Sequence, residues 1–300
     1  MFIAIAGGTG FIGSALTTHF LQHGHTVYIF SRGNSETSDH PNLIYVKWLG
    51  PDDHPENQID RLDVFINLAG ESINSGRWTT ERKARIMETR IVATNAVIDL
   101  LRHLPNKPSL LINASAIGIY GTSLNETFDE QTTTYGNDFL AETVVAWEAH
   151  AKKAEDLGIR VAFVRFGIVL DKHGGALPKM VMPYRFMVGG NVGSGEQWLS
   201  WIHIDDVVRS IQFIITEQLS GPFNITAPTP EKMESFGKSI GRNANKPHWI
   251  PVPSFALKIL LGEMSTLVLE GQRVLPKRLM DSGFQFKYEK LDEALKSILG

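Results

Sequence analysis

The opening run Met1–Gly13, MFIAIAGGTGFIG, constrains this chain more than any other stretch of it. Phe2 to Ala6 is uninterruptedly apolar, as expected of a strand buried on both faces of a parallel sheet. It ends in Gly7-Gly8-Thr9-Gly10-Phe11-Ile12-Gly13. From Phe11 onward Ile12, Ala15, Leu16 and Phe20 recur at helical spacing until Gly24, and Thr26 to Phe30 is a second apolar run. Strand, glycine turn, helix, strand is the order that aims a helix N-terminus at a phosphate. Free backbone N–H groups and the helix dipole attract the anion there, and glycine lets it approach closely. Gly8, Gly10 and Gly13 keep the G-x-G-x-x-G spacing of dinucleotide-binding folds. A turn that merely lets strand and helix pack is the alternative. The position of the motif, after the first strand and before the first helix, favours the phosphate reading.

The end of the second strand bears on which dinucleotide would fit. NAD-binding folds place an acid there against the ribose 2′-hydroxyl, whereas this chain has Ser31-Arg32-Gly33 and no carboxylate before Glu36. A hydroxyl and a guanidinium suit a 2′-phosphate, which an acid would repel. The residues therefore point to NADP, with an Arg32 directed into solvent as the bland alternative.

Later segments repeat the alternation. Leu43 to Trp48, Asp63 to Leu68, Leu110 to Ala114 and Arg160 to Val164 read as strands; Thr79 to Leu104, Phe139 to Leu157 and Asp206 to Glu217 read as helices. Nearly all-apolar strands alternating with helices predict an α/β chain, a Rossmann-type doubly wound parallel sheet. After about Phe166 the rhythm breaks into Gly- and Pro-rich turns, and helical segments return at Ser254 to Leu261 and near Leu291 to Leu299. This pattern predicts a nucleotide-binding domain over 1–165, rejoined by 199–228, and a smaller, interleaved substrate lobe from 166–198 and 229–300.

Composition removes other classes. With 29 Lys plus Arg against 32 Asp plus Glu, the net charge is −3, too flat for nucleic-acid or membrane binding through bulk charge. There is no Cys, which excludes thiolate nucleophiles, disulfides and Cys-ligated metals. The 10 His are scattered, so no metal site is expected. The start lacks a basic n-region and no stretch is apolar enough to span a bilayer, so a cytoplasmic protein is expected.

Four blocks, AGGTGFIG (Ala6 to Gly13), NLAG (Asn67 to Gly70), NASAIGIYG (Asn113 to Gly121) and RFGIVL (Arg165 to Leu170), resemble the extended short-chain dehydrogenase/reductases of the NAD-dependent epimerase/dehydratase superfamily. GSGEQWLSWIHIDDVV (Gly193 to Val208), FNITAP (Phe223 to Pro228) and GQRVLPKRL (Gly271 to Leu279) resemble an epimerase-like subfamily that carries a C-terminal domain of unknown function. The resemblance implies a dinucleotide across the C-terminal strand edge. Gly7, Thr9, Gly10, Phe11 and Ile12 would cradle the pyrophosphate and Ser31 and Arg32 the adenosine end. Leu68, Ala69, Gly70 and Ala114 would follow the cofactor towards the nicotinamide, and Glu71 would touch ribose or substrate, unless it is simply a helix-terminal charge.

The same resemblance implies a tyrosine acid/base, a lysine four residues later that lowers its pKa, and a Ser or Thr that shares the proton; a phenol is otherwise a poor base at neutral pH. Tyr135 stands in about the right region, but Phe139 replaces the lysine. The usual hydroxyl position is Ala116, with Ser115 one residue earlier. Three readings follow. Tyr135 with Ser115 could act with a cation such as Arg165 or Lys179; His203 or Asp205 could supply another acid/base; or the chain binds its cofactor without redox catalysis. For His203 a structural role is the better reading, with Asp205 or Asp206 as N-cap of the next helix, and Tyr120 reads as packing. Arg77, Arg82, Lys83, Arg85 and Arg90 read as a solvated helix face or an anion trap, and Trp198 and Trp201 as an aromatic wall or core anchors. The expected function is an NADP(H)-binding oxidoreductase or isomerase acting on a small polar molecule, such as a nucleotide sugar. The alternative is a cofactor-binding sensor or assembly factor. A homodimer through the long helices is a further expectation.

Overall fold

Seven short apolar segments build one parallel sheet in the computed structural model, which describes residues 1–33 and 38–300. Glu36 lies outside them. The strands are β1 (Phe2–Ala6), β2 (Thr26–Ser31), β3 (Leu43–Lys47), β4 (Val64–Asn67), β5 (Leu110–Ala116), β6 (Arg160–Phe166) and β7 (Gly221–Ile225). Their order across the sheet is β7-β6-β5-β4-β1-β2-β3. The chain winds outward from β1 in both directions, so the strand ends open into a crevice between β1 and β4, where doubly wound folds bind ligands. The residue pattern thus gives the right class.

Side chains alternate between two apolar layers. Ile3, Ile5, Ile66 and Ile112 face α1 (Phe11–Gln22) and, from far along the chain, Val207, Ile211 and Ile214 of α5 (Ile204–Thr216). Ala4, Phe65, Leu111 and Val161 face the opposite way, onto Val97 and Leu101 of α2 (Thr80–His103) and Ala151 of α3 (Phe139–Lys152). The stretch expected as one helix to Leu157 is α-helical to Lys152 and tightens to a 3₁₀ turn over Lys153–Leu157, which Gly158 closes at φ +78°.

Beyond β6 the chain leaves the sheet. Leu177–Arg185 (α4), Met233–Ala244 (α6) and the terminal helix Leu291–Leu299 gather Tyr184, Trp201, Phe236, Ile240, Leu291 and Leu295 into a separate apolar cluster. Between its parts, α5 and β7 return to the sheet. The lobe is therefore inserted into the sheet-forming sequence, which is why no single boundary is visible in the sequence.

Candidate functional site

The loop between β1 and α1 is shaped by its glycines. Gly7 has φ +79° and its carbonyl accepts from the Gly10 amide at 3.0 Å. A Cβ on Gly13 would lie 2.2 Å from the Gly7 oxygen and 2.7 Å from the Gly8 Cα, so only glycine lets the first helical turn close onto the strand. Thr9 and Gly10 are exposed at the rim. The helices α2 and α3 begin under caps, with the Thr79 hydroxyl accepting from the Arg82 amide and the Asp138 carboxylate from that of Ala141. At α1 the N-cap is Gly10, which has no side chain to offer. The first-turn amides of α1 thus keep their hydrogen-bonding capacity for an anion. Phe11 is held in place because Gly174 and Gly175 press against its ring.

Around this turn lie the other residues singled out in the sequence. Leu68, Ala69 and Gly70 follow β4, and their path is fixed by Asn67, fully buried, whose Oδ1 accepts from the Ala69 amide while its Nδ2 donates to Thr94 and Asn113. Ser31 ends β2 and accepts from the Gly33 amide; Arg32 is exposed beside it. Ala114 is buried one residue short of Ser115. These residues fit a dinucleotide: a tight glycine cradle, a helix start without a side-chain cap and an exposed guanidinium lie along one strand edge.

Glu71 is otherwise occupied. Its carboxylate is 3.2 Å from both Arg82 and Arg85, and Arg90 donates to its carbonyl. The basic run therefore works as a set of ties. Arg77 donates to the carbonyls of Ile259 and Leu260, Lys83 pairs with Glu263, and Arg90 is tucked over Trp147 with its guanidinium 5.0 Å from the ring. Burial pushes Arg90 down to about 10, with Glu71 opposing the shift.

On the other side of β5 lies a buried polar chain, in which Glu148 and Asn224 are members that no sequence motif singled out. Ser115, 2% exposed, donates to Glu148 at 2.6 Å. Glu148 accepts Nε and Nη2 of Arg165 at 2.8 and 2.9 Å, and Nη1 of Arg165 donates to the Tyr120 hydroxyl at 2.9 Å. Tyr120 donates in turn to Asn224, whose backbone amide donates to Glu130. Tyr120, expected only to pack, is thus a link in this chain as well as a ring stacked on Phe128. Burial drives its phenol up to about 12 despite the opposing Arg165. Arg165 itself shifts upward, because the bidentate bond and charge of Glu148 outweigh its desolvation.

Tyr135 is 44% exposed, with the Arg165 guanidinium 5.7 Å from its ring centroid. Among the described residues, Ser115 and Tyr135 are linked through Glu148 and Arg165. Phe139, in the lysine position, is boxed between Trp78 at 5.4 Å and the Lys83 ammonium at 5.6 Å. Lys179 is exposed on α4. His203 is held structurally: its Nδ1 accepts from the Asp205 amide, it meets Ser297 at 3.2 Å, and the tilted Tyr288 ring lies against it with centroids 4.1 Å apart. The N-cap expected from Asp205 or Asp206 is in fact His203 itself. Asp206, fully buried, instead accepts the amides of Lys287 and Tyr288.

Between the sheet and the inserted lobe lies a cleft of about 220 Å³. Ala116, Ile117 and Gly118 form one wall, Phe166, Gly167 and Ile168 the floor, and Trp147, Leu140 and Ile86 the second wall; Trp198, Leu267 and Gln272 close it from the lobe. Trp198 is a wall and Trp201, fully buried, an anchor. Among the described residues no group of acids and histidines could hold a metal, and no helix is long and apolar enough to cross a membrane.

A family model for the NAD dependent epimerase/dehydratase family matches residues 3–226, and one for a domain of unknown function, DUF1731, matches 252–298. This chain belongs to the epimerase/dehydratase family. Epimerase family protein YfhF of Bacillus subtilis is 48% identical over 300 residues, covering 100% of this chain and 98% of that one. Human epimerase family protein SDR39U1, solved with NADPH, superposes with a TM-score of 0.88 at 30% identity over 100% of this chain and 99% of that one. A nucleoside-diphosphate sugar epimerase from Corynebacterium glutamicum gives a TM-score of 0.80 at 30% identity; it covers 100% of this chain but 58% of that longer one.

Proposed function

We propose that the protein binds NADP(H) and acts as an oxidoreductase or isomerase on a small molecule held in the cleft. The observation that carries this reading is the uncapped start of α1 above the Gly7–Gly13 turn, where Gly13 fits with no room for a Cβ. Arg32, exposed after β2 with no acid in the adjoining described residues, is the partner for a 2′-phosphate. The NADPH-bound human relative supports the same choice.

A bound nicotinamide would supply or accept a hydride at the Ala116–Phe166 end of the cleft. The residues' own contributions are positional. Asn67 fixes the loop beneath the cofactor, and the Glu148–Arg165 pair holds the β5 and β6 ends together. A second reading, a cofactor sensor without chemistry, has one specific observation in its favour: Phe139 stands where the family's lysine would, and Ser115 is already bonded to Glu148.

Titration calorimetry tests the cofactor. Arg32→Ala is expected to weaken NADPH by about tenfold to a hundredfold, the loss of one charge-assisted phosphate contact, and to leave NADH nearly unchanged. Equal losses would refute the phosphate assignment.

A further inference from the structure

The flat overall charge of the chain hides a segregation. Lys172 to Gly195 carries Lys172, Lys179 and Arg185, and Ser235 to Gly262 carries Lys238, Arg242, Lys246 and Lys258, with no Asp or Glu in either stretch. Lys238 and Arg242 are tied to Glu234 and Asp292 from neighbouring segments, whereas Lys172, Lys179, Arg185 and Lys258 stand exposed. The two stretches are knitted together. The amides of Trp249 and Ile250 donate to the Gly189 carbonyl, that of Val252 to Asn191, and the Trp249 indole to the Met187 carbonyl. Positive charge is thus concentrated on one part of the inserted lobe, in a chain whose net charge is −3.

The same segments expose large apolar side chains. Lys179, Met182 and Arg185 recur at three-residue spacing on the outer side of α4, opposite the buried Leu177, Val181 and Tyr184, and Phe186 follows at its end. From Ile250 the chain runs through the exposed Pro251 and Pro253 into the helix Ser254–Leu261 (α7), whose sequence is SFALKILL and none of whose residues is buried. Arg77 nonetheless fixes its far end by donating to the carbonyls of Ile259 and Leu260. Phe186, Trp249 and Phe255 are 69%, 67% and 68% exposed. Aromatic side chains carry roughly 150–250 Å² each, so these three alone present on the order of 400 Å², as much apolar surface as the largest patch of a typical monomer. Met187, Val188, Ile259 and Leu260 add to it. Apolar surface on this scale marks a site of association.

Charge selects the partner. A second copy of this chain, paired about a twofold axis, would set the exposed cations against themselves. A bilayer containing anionic lipid offers phosphates to Lys and Arg, an acyl boundary to Phe, Ile and Leu, and a headgroup layer that suits Trp. We propose that the outer side of α4, residues 186–188, Trp249, Ile250 and α7 dock this protein peripherally on an anionic membrane surface, without crossing it. Such docking needs nothing from the cofactor site, so failure of either reading leaves the other standing.

The test is co-flotation of the full chain with lipid vesicles in about 0.15 M salt, where weak long-range attraction is screened. The vesicles are phosphatidylcholine alone, or phosphatidylcholine with about one-third phosphatidylglycerol. Flotation with the anionic vesicles is expected, and binding at least tenfold weaker to phosphatidylcholine alone, since each cation near an anionic surface contributes a factor of about five. Arg185→Glu with Lys258→Glu should weaken the binding more than tenfold, and Phe255→Ser with Ile259→Ser about tenfold. These side chains are exposed, and an unchanged urea midpoint for each variant would show that the fold is intact. No flotation with anionic vesicles, equal flotation with both kinds, or flotation indifferent to Phe255→Ser with Ile259→Ser would each overturn the proposal. So would a dimer in sedimentation velocity that the same pair of substitutions dissolves, with no flotation, because the face would then belong to a second copy.

Discussion

The two ends of the crevice handle polar groups in opposite ways. At the β1–α1 turn, glycine stands where a cap would be, so no side chain occupies the first-turn amides of α1. Past β5, most polar side chains lining the cleft, among them Thr122, Thr143 and Gln272, are bonded to the protein, and Arg165 beside it is paired with Glu148. Unpartnered donors are tolerable where water or a phosphate can reach them, and costly where neither can. The difference matches the roles proposed above, in which one end would recognise an anion and the other would keep water away from the reacting groups.

The comparison can be broken most severely at Gly13. Gly13→Ala puts a methyl into the Gly7 carbonyl, so a soluble, folded product with wild-type NADPH affinity would mean that the cradle is not closely fitted. The expected result is loss of folded protein, or at least a hundredfold loss of affinity by calorimetry.

Next in size is Glu148→Gln, which leaves Arg165 charged and buried without its carboxylate. A loss of about 3–5 kcal/mol is expected in urea unfolding, and Glu148→Leu with Arg165→Met should recover much of it. Recovery without any change in NADPH affinity would sharpen the contrast, since it would show the network to be scaffold.

The smallest effect is a pH dependence at His203. Burial, the largest influence, lowers its pKa below 6.5, so the unfolded chain binds the extra proton first as pH falls. Its share of the stability is therefore complete above pH 6.5 and is lost as pH drops from there through the lower folded value. His203→Asn, which can still cap α5, should flatten that part of a stability-against-pH curve; an unchanged slope would place the titration elsewhere.

The legibility of the sequence follows the same divide. β1, β2, α1 and the glycine turn could be read because their signals are local: periodicity and a fixed glycine spacing within thirty-one residues. The bounds of α2 were legible too, yet the fate of its basic run was not. Arg82, Arg85 and Arg90 look solvated on a helical projection, and the path of Glu71 after β4 draws Arg82 and Arg90 inward while Arg85 pairs with it from the surface. The Ser115–Glu148–Arg165–Tyr120–Asn224 chain joins residues up to 109 positions apart across β5, α3, β6 and β7, and no spacing rule connects them. The placing of the N-cap at Asp205 or Asp206 fails for a smaller reason. The helix starts at Ile204, and an imidazole nitrogen can accept the amide bond as an acid would.

The insertion between β6 and β7 has a consequence for a chain emerging from a ribosome. β6 is complete at Phe166, but the strand that covers its free side ends only at Ile225, after α4 and α5 have been made. Until then the edge from Arg160 to Phe166 offers open amides and carbonyls to any neighbouring strand. Nascent protein should be most prone to mispairing while that gap of nearly sixty residues is being translated, well before the cofactor has a finished sheet to bind.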